Sequence, residues 1–297
     1  MSIIKPNVSI ILNCYNGEKY LAEAIKSIKK QKYKNFEVIF WDNKSTDKSK
    51  EIFKKQKDKR FKYFLAPKKT SLYAARNLAI SKSKGKFISF IDVDDLWTAN
   101  KLKLQIPYFR DEEVGVVYSK LWVLNDKNKK KKIHISQDLP SGYIYDRIIK
   151  KYSIGIITTV IRRKIFLKLK KKFDKRYTHI GDFDLFLRLS KKCKFKAVQL
   201  PTAIYRAHGE NLTTTDKIGA INEFENWLKE NKINLSYANY KNIKTLIDYK
   251  KFIFFKFKSD YKSCIKLLLD LRSIKIFLKK IIILFLPLFV LKKLFWY

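Results

Sequence analysis

The chain has 297 residues, of which 46% are hydrophobic, and its formal net charge is +39. This apolar content excludes a disordered chain and is sufficient for one large domain, or for a domain with an appendage. Three widely spaced cysteines argue against a disulfide framework or a zinc site and fit a reducing compartment.

The large positive charge could indicate a nucleic-acid partner. However, only 10 of the 66 basic residues are arginine, the side chain favoured for contacts to bases. No RNP, KH, zinc-finger or homeodomain pattern appears either. We therefore expect no nucleic acid as a partner. The charge instead favours attraction to anionic surfaces, including the cytoplasmic face of a membrane.

Short apolar runs alternate with helical patterns over the first hundred residues. The predicted strands are 8–12, 36–41, 61–65 and 87–91, and helices are predicted over 18–30, after the turn at 42–47, and over 72–81. This alternation predicts right-handed βαβ units. The expected fold is therefore α/β, with a Rossmann-like, mostly parallel sheet flanked by helices.

Ligands bind beyond the carboxyl ends of the strands in such a sheet. Tyr15, Asp42 and the segment Asp-Val-Asp-Asp (92–95) follow three of the predicted strands, so we expect them at one edge. Three carboxylates within four residues suit a divalent cation such as Mg²⁺ or Mn²⁺, which one or two carboxylates hold together with substrate phosphates. A solvated acidic turn that caps the next helix is the alternative. An EF-hand is excluded, because Trp97 and Lys103 stand where its loop needs Gly and Glu.

The second half has a less regular pattern. We predict a helix over 98–109, strands over 114–118 and 120–124 near a hairpin tip at 126–129, a strand over 158–161 and a helix that begins near 180. Apolar segments 195–200 and 203–208 follow. Asp182 and Asp184 lie at the start of the helix near 180, where favourable interaction with the helix dipole is the alternative to a catalytic role.

The βα pattern ends near residue 212, which predicts a domain over 1–212 and a helical, basic C-terminal extension over 213–297. The apolar run 281–291 would reach about 16 Å as a helix, too short for a hydrocarbon core of about 30 Å. Lysine pairs on both sides, Pro287 and the terminal aromatic residues favour an interfacial membrane anchor over about 274–297. A helix packed on the catalytic domain is the alternative. Because the first residues lack an export signal, we expect a cytoplasmic protein, peripheral on the inner face of the cytoplasmic membrane.

Six motifs occur in order between residues 7 and 212. They are Asn-Cys-Tyr-Asn-Gly-Glu (13–18), Asp-Asn-Lys-Ser-Thr-Asp (42–47), Ala-Arg-Asn (75–77), Asp-Val-Asp-Asp (92–95), Gly-Asp-Phe-Asp (181–184) and Tyr-Arg-Ala-His (205–208). This ordered set resembles the inverting family 2 glycosyltransferases of the GT-A fold that build bacterial surface glycans. A single Asp-x-Asp would be weak support, whereas six motifs in order are specific.

The resemblance implies a role for each matching residue. The nucleoside of a nucleotide-sugar, most often uridine, would be held by four residues: Asn13, Tyr15, Glu18 and Asp42. Arg76 would lie near this donor, and Asp92 would contact the ribose or a metal-bound water. Asp94 would ligate Mn²⁺ or Mg²⁺, and His208 would complete the metal shell or touch the diphosphate. Asp182 would be the general base.

Two positions depart from the family pattern. Asn13 stands where many members have Pro or Thr, and Gly181 stands where a Glu is usual. The second departure leaves the base in place but removes a carboxylate that would be available for binding the acceptor.

The implied function is transfer of a sugar, from a UDP-sugar, to a hydroxyl of a growing lipopolysaccharide, lipooligosaccharide, capsule or lipid-linked oligosaccharide. Two alternatives remain open. A haloacid-dehalogenase-type phosphatase requires its Asp-x-Asp on the first strand, and here the motif follows the fourth. A non-catalytic basic protein that binds membranes or polyanions would leave Asp92, Asp94 and Asp182 unexplained.

Overall fold

The computed structural model describes residues 6–268 and 274–295. The chain divides into two compact units, Met1–Ala207 and His208–Tyr297. The division comes directly after the last strand, a few residues before the boundary that the sequence places near 212. Trp296 and Tyr297, which the sequence assigns to the membrane anchor, lie outside the described residues.

Among the described residues, nine strands form one sheet in the first unit. They are β1 Val8–Cys14, β2 Phe36–Asp42, β3 Phe61–Leu65, β4 Phe87–Asp92, β5 Leu96–Trp97, β6 Val114–Asn125, β7 Lys131–Ile133, β8 Val160–Arg162 and β9 Lys194–Ala207. The strand order is β3-β2-β1-β4-β8-β6-β9-β5, and β7 pairs with β6 beside this path. The strands β3, β2, β1 and β4 are mutually parallel, whereas β8 runs antiparallel to both β4 and β6. The predicted Rossmann-like α/β fold is confirmed, with a sheet that is parallel as far as β4 and mixed beyond it.

Seven α-helices are described in the first unit: α1 Glu18–Lys29, α2 Ser49–Lys54, α3 Leu72–Ser81, α4 Lys101–Gln105, α5 Tyr145–Ile148, α6 Arg163–Leu167 and α7 Gly181–Ser190. Two 3₁₀ helices span Ile106–Arg110 and Ile156–Thr158. The first helix forms for the reason that its sequence suggests. Its apolar residues Leu21, Ala24, Ile25 and Ile28 recur at helical spacing, and all four are buried.

Three details differ from the sequence prediction. The segments 114–118 and 120–124 belong to one strand, β6, whose hairpin partner is β7. Its neighbour β9 continues through Pro201, and the pairing between the two strands shifts register there because proline has no N–H to donate. The predicted helix 98–109 begins only at Lys101 and becomes a 3₁₀ helix at Ile106, next to Pro107.

A buried carboxylate fixes the amino-terminal end of the sheet. Glu37 of β2 accepts hydrogen bonds from Ser9 Oγ at 2.7 Å, from Lys62 Nζ at 2.6 Å and from the Lys84 N–H at 2.6 Å. The turn that contains Gly85 packs so closely on β1 that a Cβ there would lie 2.6 Å from the Ser9 nitrogen. These contacts connect β1, β2, β3 and the turn before β4, so they fix the relative positions of these strands.

The second unit is helical, as predicted. Its helices are α8 Leu212–Thr215, α9 Lys217–Glu230, α10 Tyr237–Phe257, α11 Tyr261–Leu268, α12 Ile274–Phe285 and α13 Leu288–Phe295, with a 3₁₀ helix over Lys232–Asn234. Phe252, Cys264, Ile283 and Leu291 form a core between α10, α11, α12 and α13. None of the helices in the described part of the chain is both long and apolar enough to span a lipid bilayer.

Two lysines stabilise the packing of these last helices. Lys256 Nζ donates to the Leu284 carbonyl at 2.8 Å, and Lys280 Nζ donates to the Leu267 carbonyl at 2.6 Å. The Leu284 carbonyl lies in the last turn of α12, where the helix dipole favours a cation. One face of α12 therefore packs against α10 and α11 within the second unit.

We expect Glu37→Gln to lower the free energy of unfolding at pH 7 by about 2 kcal/mol, because three donors lose their anionic acceptor. Burial acts to raise the pKa of Glu37, but the hydrogen bonds from Lys62, Ser9 and Lys84 outweigh it and hold the pKa below its usual value. A lowered carboxyl pKa stabilises the fold above the unfolded pKa, and this stabilisation is lost as the pH falls through the folded pKa. The difference in free energy of unfolding between the wild type and Glu37→Gln should therefore shrink towards acidic pH, as measured by urea unfolding.

The matched control is Glu112→Gln, since that carboxylate lies exposed in a surface ion pair with Lys164 and such pairs contribute little to stability. Equal losses in the two variants would contradict a structural role for Glu37.

Candidate active site

The carboxyl ends of three neighbouring strands bring polar residues together. Asn13 of β1 stands opposite Trp41 of β2 and Asp92 of β4, and Cys14 stands opposite Asp42. Because side chains alternate along a strand, Asn13, Trp41 and Asp92 share one face of the sheet and Asp42 lies on the other. The structure thus places three of the predicted donor-binding residues at adjacent positions of one edge.

Asn13 has an unusual environment. The residue is only 8% exposed, yet its Oδ1 and Nδ2 find no hydrogen-bond partner among the described residues. The same holds for the indole Nε1 of its neighbour Trp41. Buried polar groups are nearly always paired, so these atoms can be satisfied by a ligand or by ordered water.

Asp42 is held rigidly in a buried position. Its Oδ2 accepts the hydroxyl of Tyr63 at 2.7 Å, and its Oδ1 accepts the Ser45 N–H at 2.8 Å. Burial and the Asp42 charge together raise the pKa of Tyr63, so this hydroxyl stays protonated and donates. Asp42 therefore acts only as an acceptor for its protein partners, and its orientation is fixed.

The loops after β1 and β2 are bonded to each other. Glu18 Oε2 accepts the Lys48 N–H at 2.9 Å, and the Glu18 N–H donates to Asp47 Oδ2 at 2.8 Å. Tyr15 lies in the same loop with its ring 44% exposed and the Lys69 ammonium 3.7 Å from the ring centre. In this structure the Glu18 carboxylate stabilises the loop, and Tyr15 presents an accessible aromatic face.

Each residue of the Ala-Arg-Asn motif on α3 makes a separate contact. Ala75 is buried against the sheet. Arg76, only 3% exposed, donates from Nη2 to Asp92 Oδ1 at 2.6 Å. Asn77 makes two hydrogen bonds with the backbone of Phe173, at 2.8 and 3.2 Å. The motif thus links the strand edge to the segment that leads into α7.

The three carboxylates after β4 have different environments. Asp92 pairs with Arg76, whereas Asp95 is buried and accepts a hydrogen bond from the backbone N–H of Arg206 at 2.9 Å. Burial, followed by the charges of Asp94 and Asp92, raises the pKa of Asp95 well above its usual value. Asp94 is partly exposed. The turn therefore uses Asp95 for structure and keeps Asp92 and Asp94 nearer to solvent.

Arg206 at the end of β9 connects this turn to its surroundings. Its Nε–H donates to the Asp94 carbonyl at 2.9 Å, its Nη1 donates to Asp126 at 3.1 Å and its Nη2 donates to Glu23 at 2.8 Å. The guanidinium carbon lies 4.6 Å from the centre of the Tyr20 ring. One buried side chain thus joins α1, the acidic turn and the tip of the β6–β7 hairpin.

Asp182 lies in the first turn of α7 and is partly buried. Its Oδ1 accepts the Phe183 N–H at 2.8 Å, and the hydroxyls of Tyr73 and Tyr152 lie 3.3 and 3.4 Å from its two carboxylate oxygens. Burial raises the pKa of Asp182, and the charge of Arg76 opposes this shift. A carboxylate with a raised pKa is suited to accept a proton.

Asp184, two residues further along α7, makes a different contact. It is buried and pairs with Arg188 at 2.7 Å. The geometry therefore gives the two aspartates of this segment different roles, with Asp184 in a structural ion pair.

No group of three or more His, Cys, Asp and Glu side chains stands ready to hold a metal ion in the part of the chain that the structure describes. His208 is the first residue of the second unit, where its N–H donates to Asn211 Oδ1 at 2.6 Å. The partly exposed carboxylates of Asp92 and Asp94 are oxygen ligands of the kind that a hard cation such as Mg²⁺ takes.

Sequence comparison identifies the family. The sequence profile of Glycosyl transferase family 2 matches residues 9–188, which is more than half of the chain. The chain is a family 2 glycosyltransferase.

Several curated proteins are similar to this transferase. One is the Escherichia coli UDP-Glc:alpha-D-GlcNAc-diphosphoundecaprenol beta-1,3-glucosyltransferase WfgD, 29% identical over 64% of this chain and 72% of that protein. A second E. coli enzyme with the same described activity, WfaP, is 28% identical over 76% of this chain and 84% of its own length. An uncharacterized glycosyltransferase of Rickettsia conorii is 34% identical over 52% of this chain, but the match spans only 25% of that protein.

Solved structures confirm the predicted GT-A fold of this transferase. S. aureus TarS in complex with UDP-GlcNAc has a TM-score of 0.65 at 20% identity, covering 88% of this chain and 79% of that one. The mannosyltransferase PcManGT from Pyrobaculum calidifontis, in complex with GDP-Man and Mn²⁺, has a TM-score of 0.56 at 15% identity, covering 79% of this chain and 66% of that one.

The sequence does not predict four contact residues of this site, which are Tyr63, Tyr73, Asp126 and Tyr152. Tyr73 precedes Arg76 by three positions on a predicted helix, so helical spacing could have placed both on one face. Tyr63 lies in a predicted strand next to that of Asp42. Tyr152 and Asp126 lie in segments whose positions depend on long-range pairing, and no local pattern indicates them.

We expect Arg206→Lys to lower the free energy of unfolding by about 3 kcal/mol, since one ammonium cannot replace three differently directed N–H donors and two carboxylates lose their buried partner. Urea unfolding measures the effect.

The control is Arg60→Lys. Because its partner Asp58 lies at the surface, this substitution should lower the free energy of unfolding by less than about 1 kcal/mol. If Arg206→Lys unfolds like the wild type, Arg206 does not hold the turn in position.

Proposed function

We propose that this enzyme transfers a sugar from a UDP-sugar, with inversion, to a hydroxyl of a lipid-linked bacterial glycan. The observation that carries the proposal is the arrangement around α3. One face of this helix carries Arg76, which holds Asp92 at the strand edge, and Tyr73, whose hydroxyl reaches Asp182. A donor-binding edge and a basic carboxylate are thereby held by one rigid element.

The donor would lie across the carboxyl ends of β1, β2 and β4. The unpaired amide of buried Asn13, the fixed acceptor Asp42 and the exposed ring of Tyr15 offer hydrogen bonds and stacking to a nucleoside. The E. coli relatives are described as using UDP-Glc, and TarS was solved with UDP-GlcNAc. We therefore favour uridine as the nucleoside.

Asp94 would hold a divalent cation, Mn²⁺ or Mg²⁺, together with the donor diphosphate. Such a cation supplies positive charge beside the leaving diphosphate. Asp92, held by Arg76, would contact the ribose or a water of the cation.

Asp182 would accept the proton of the acceptor hydroxyl while its oxygen attacks the anomeric carbon. The bond from that carbon to the diphosphate breaks, and the electron pair leaves with the diphosphate oxygen. Attack from the opposite face gives a β-linked product from an α-linked donor. General-base catalysis of this kind contributes about 10²- to 10⁴-fold in rate.

We expect UDP to bind in the presence of Mn²⁺, and Asp94→Asn to weaken this binding by about 100-fold or more, since the substitution removes a direct ligand of the cation. Asp182→Asn is the matched control, because a base that acts on the acceptor leaves UDP binding unchanged. Calorimetry with and without Mn²⁺ measures both.

Transfer is then tested with UDP-glucose and UDP-GlcNAc on GlcNAc-diphosphoundecaprenol, where Asp182→Asn should lose activity by about 10²-fold or more. If neither UDP nor another nucleotide binds with metal, the acidic turn is structural and the proposed donor site is wrong.

We also propose that the second unit binds the membrane surface. Leu278, Ile282, Phe285 and Phe289 follow helical spacing along α12 and α13 and are all exposed, Phe285 by 80%. We call these four residues the apolar stripe. Exposed apolar surface of this extent marks an interaction site, and the exposed lysines Lys262, Lys266 and Lys279 on α11 and α12 favour an anionic lipid surface as the partner.

We expect Phe285→Ser with Phe289→Ser to weaken binding to phosphatidylglycerol-containing vesicles by about tenfold or more, because burying one such side chain is worth about 1.5–3 kcal/mol. Co-sedimentation measures the effect, with neutral vesicles for comparison. Ile233→Ser is the control, since Ile233 is 97% exposed but lies outside the apolar stripe. Unchanged sedimentation of the double variant would contradict a lipid-binding role.

A further inference from the structure

Two tyrosine hydroxyls face the Asp182 carboxylate from opposite segments. Tyr73 comes from α3, and its hydroxyl lies 3.3 Å from Asp182 Oδ1 and 3.3 Å from the His179 carbonyl. Tyr152 comes from the segment before the Ile156–Thr158 helix and approaches Oδ2 at 3.4 Å. These distances exceed the usual length of an O–H···O hydrogen bond, as is common for catalytic groups before substrate binds.

Both rings are fixed by packing. The Tyr73 ring stacks on Phe173 with 5.3 Å between the ring centres, and the Tyr152 ring meets Phe183 edge-on at 5.3 Å. A ring held in this way can direct its hydroxyl at little further entropic cost. The two hydroxyls therefore have defined positions relative to Asp182.

Gly181 makes this arrangement possible. A Cβ on Gly181 would lie 2.5 Å from a carbon of the Tyr73 ring, far inside van der Waals contact. A glutamate, which is usual at this position in the family, cannot occupy it while Tyr73 keeps its place. The absence of that side chain and the presence of the Tyr73 ring are thus two parts of one local structure.

Among the described residues, the groups that shift the pKa of Asp182 come from three segments. From α3 come the Tyr73 hydroxyl and the Arg76 guanidinium, which is itself paired with Asp92. Tyr152 comes from the segment before the Ile156–Thr158 helix, and the Phe183 N–H belongs to α7, the helix of Asp182 itself. Burial acts to raise the pKa of Asp182, and each of these donors acts to lower it.

We propose that Tyr73 and Tyr152 are positioning residues, which hold the Asp182 carboxylate so that one oxygen faces the acceptor hydroxyl. The Tyr73 ring lies where a Cβ on residue 181 would be, so the glycine leaves room for this support of the base. This role rests on the proposed function of Asp182 as the base. The contacts themselves are open to a test that needs no substrate.

The test is a titration of Asp182 followed by ¹³C NMR of carboxyl-labelled aspartate, with Asp182→Asn to assign its resonance. Tyr73→Phe and Tyr152→Phe each remove one hydroxyl and keep the ring, so the fold is preserved. We expect the Asp182 midpoint to move to higher pH in each variant and further in the double variant. Gly181→Ala, which displaces the Tyr73 ring, should move it in the same direction.

Tyr33→Phe is the matched control. Its hydroxyl accepts a hydrogen bond from Asn7 at the other end of the sheet, so its removal should leave the Asp182 midpoint unchanged. An unchanged midpoint in both Tyr73→Phe and Tyr152→Phe would overturn the proposal.

Transfer from UDP-glucose as a function of pH separates this proposal from the proposed function. The acid limb of kcat/KM should move to higher pH with the NMR midpoint, and kcat should fall by about tenfold at most per hydroxyl, with KM for UDP-glucose unchanged. If every variant turns over like the wild type and the acid limb of kcat/KM is the same in all of them, the positioning role alone is overturned. Shifted midpoints without turnover in any variant would support the contacts and overturn the base role.

Discussion

The ion pair between Arg76 and Asp92 is the interaction on which the site depends. Arg76 is almost fully buried, while Asp92 is one-third exposed, so the arginine brings its charge from inside the fold to the sheet edge. Asp94, Asp95 and Asp182 add negative charge near this pair, and like charges at such distances destabilise one another. Removal of either partner would leave a buried or crowded charge without compensation. The pair therefore fixes the position of α3, and α3 in turn fixes Tyr73 beside Asp182.

Arg206 performs a related task from the other side of the acidic turn. It stabilises the turn through the Asp94 carbonyl and directs its two remaining nitrogens to Asp126 and Glu23. Two buried arginines thus hold the carboxylates in place before any substrate is present. Such preorganisation is valuable because no reorganisation energy is then spent when charge develops during reaction. Burial, followed by the charges of Asp94 and Asp92, raises the pKa of Asp95, because all three disfavour its charged form in this turn.

The first half of the fold could be predicted closely, because its strands are short apolar runs and its helices have clear amphipathic spacing. The residues at the strand ends followed from topology alone, since parallel strands must end at one edge. The environment of each carboxylate could not be predicted in this way. Asp92, Asp94 and Asp95 are adjacent in sequence, and only tertiary contacts with Arg76 and Arg206 distinguish them.

The second half was harder for the same physical reason. Strands β6 and β9 pair over a long sequence separation, and the register shift near Pro201 has no local signal. Tyr152 and Asp126 receive their roles from this pairing. Gly181 is the instructive exception, because its departure from the family pattern was visible in the sequence. The close packing of the Tyr73 ring on Gly181 was not visible, since the two residues are more than a hundred positions apart.

The net charge of +39 acquires a physical meaning in this setting. A nucleoside diphosphate, a lipid diphosphate and an anionic membrane surface all carry negative charge, so one positive field would attract donor, acceptor and membrane together. The acidic turn is the exception within this field, and there Arg76 and Arg206 offset the charge of the carboxylates. Long-range attraction is screened over about 8 Å at physiological salt, whereas the buried Arg76–Asp92 pair is screened far less. Salt should therefore weaken the association of the enzyme with its anionic partners more than it weakens the geometry of the site.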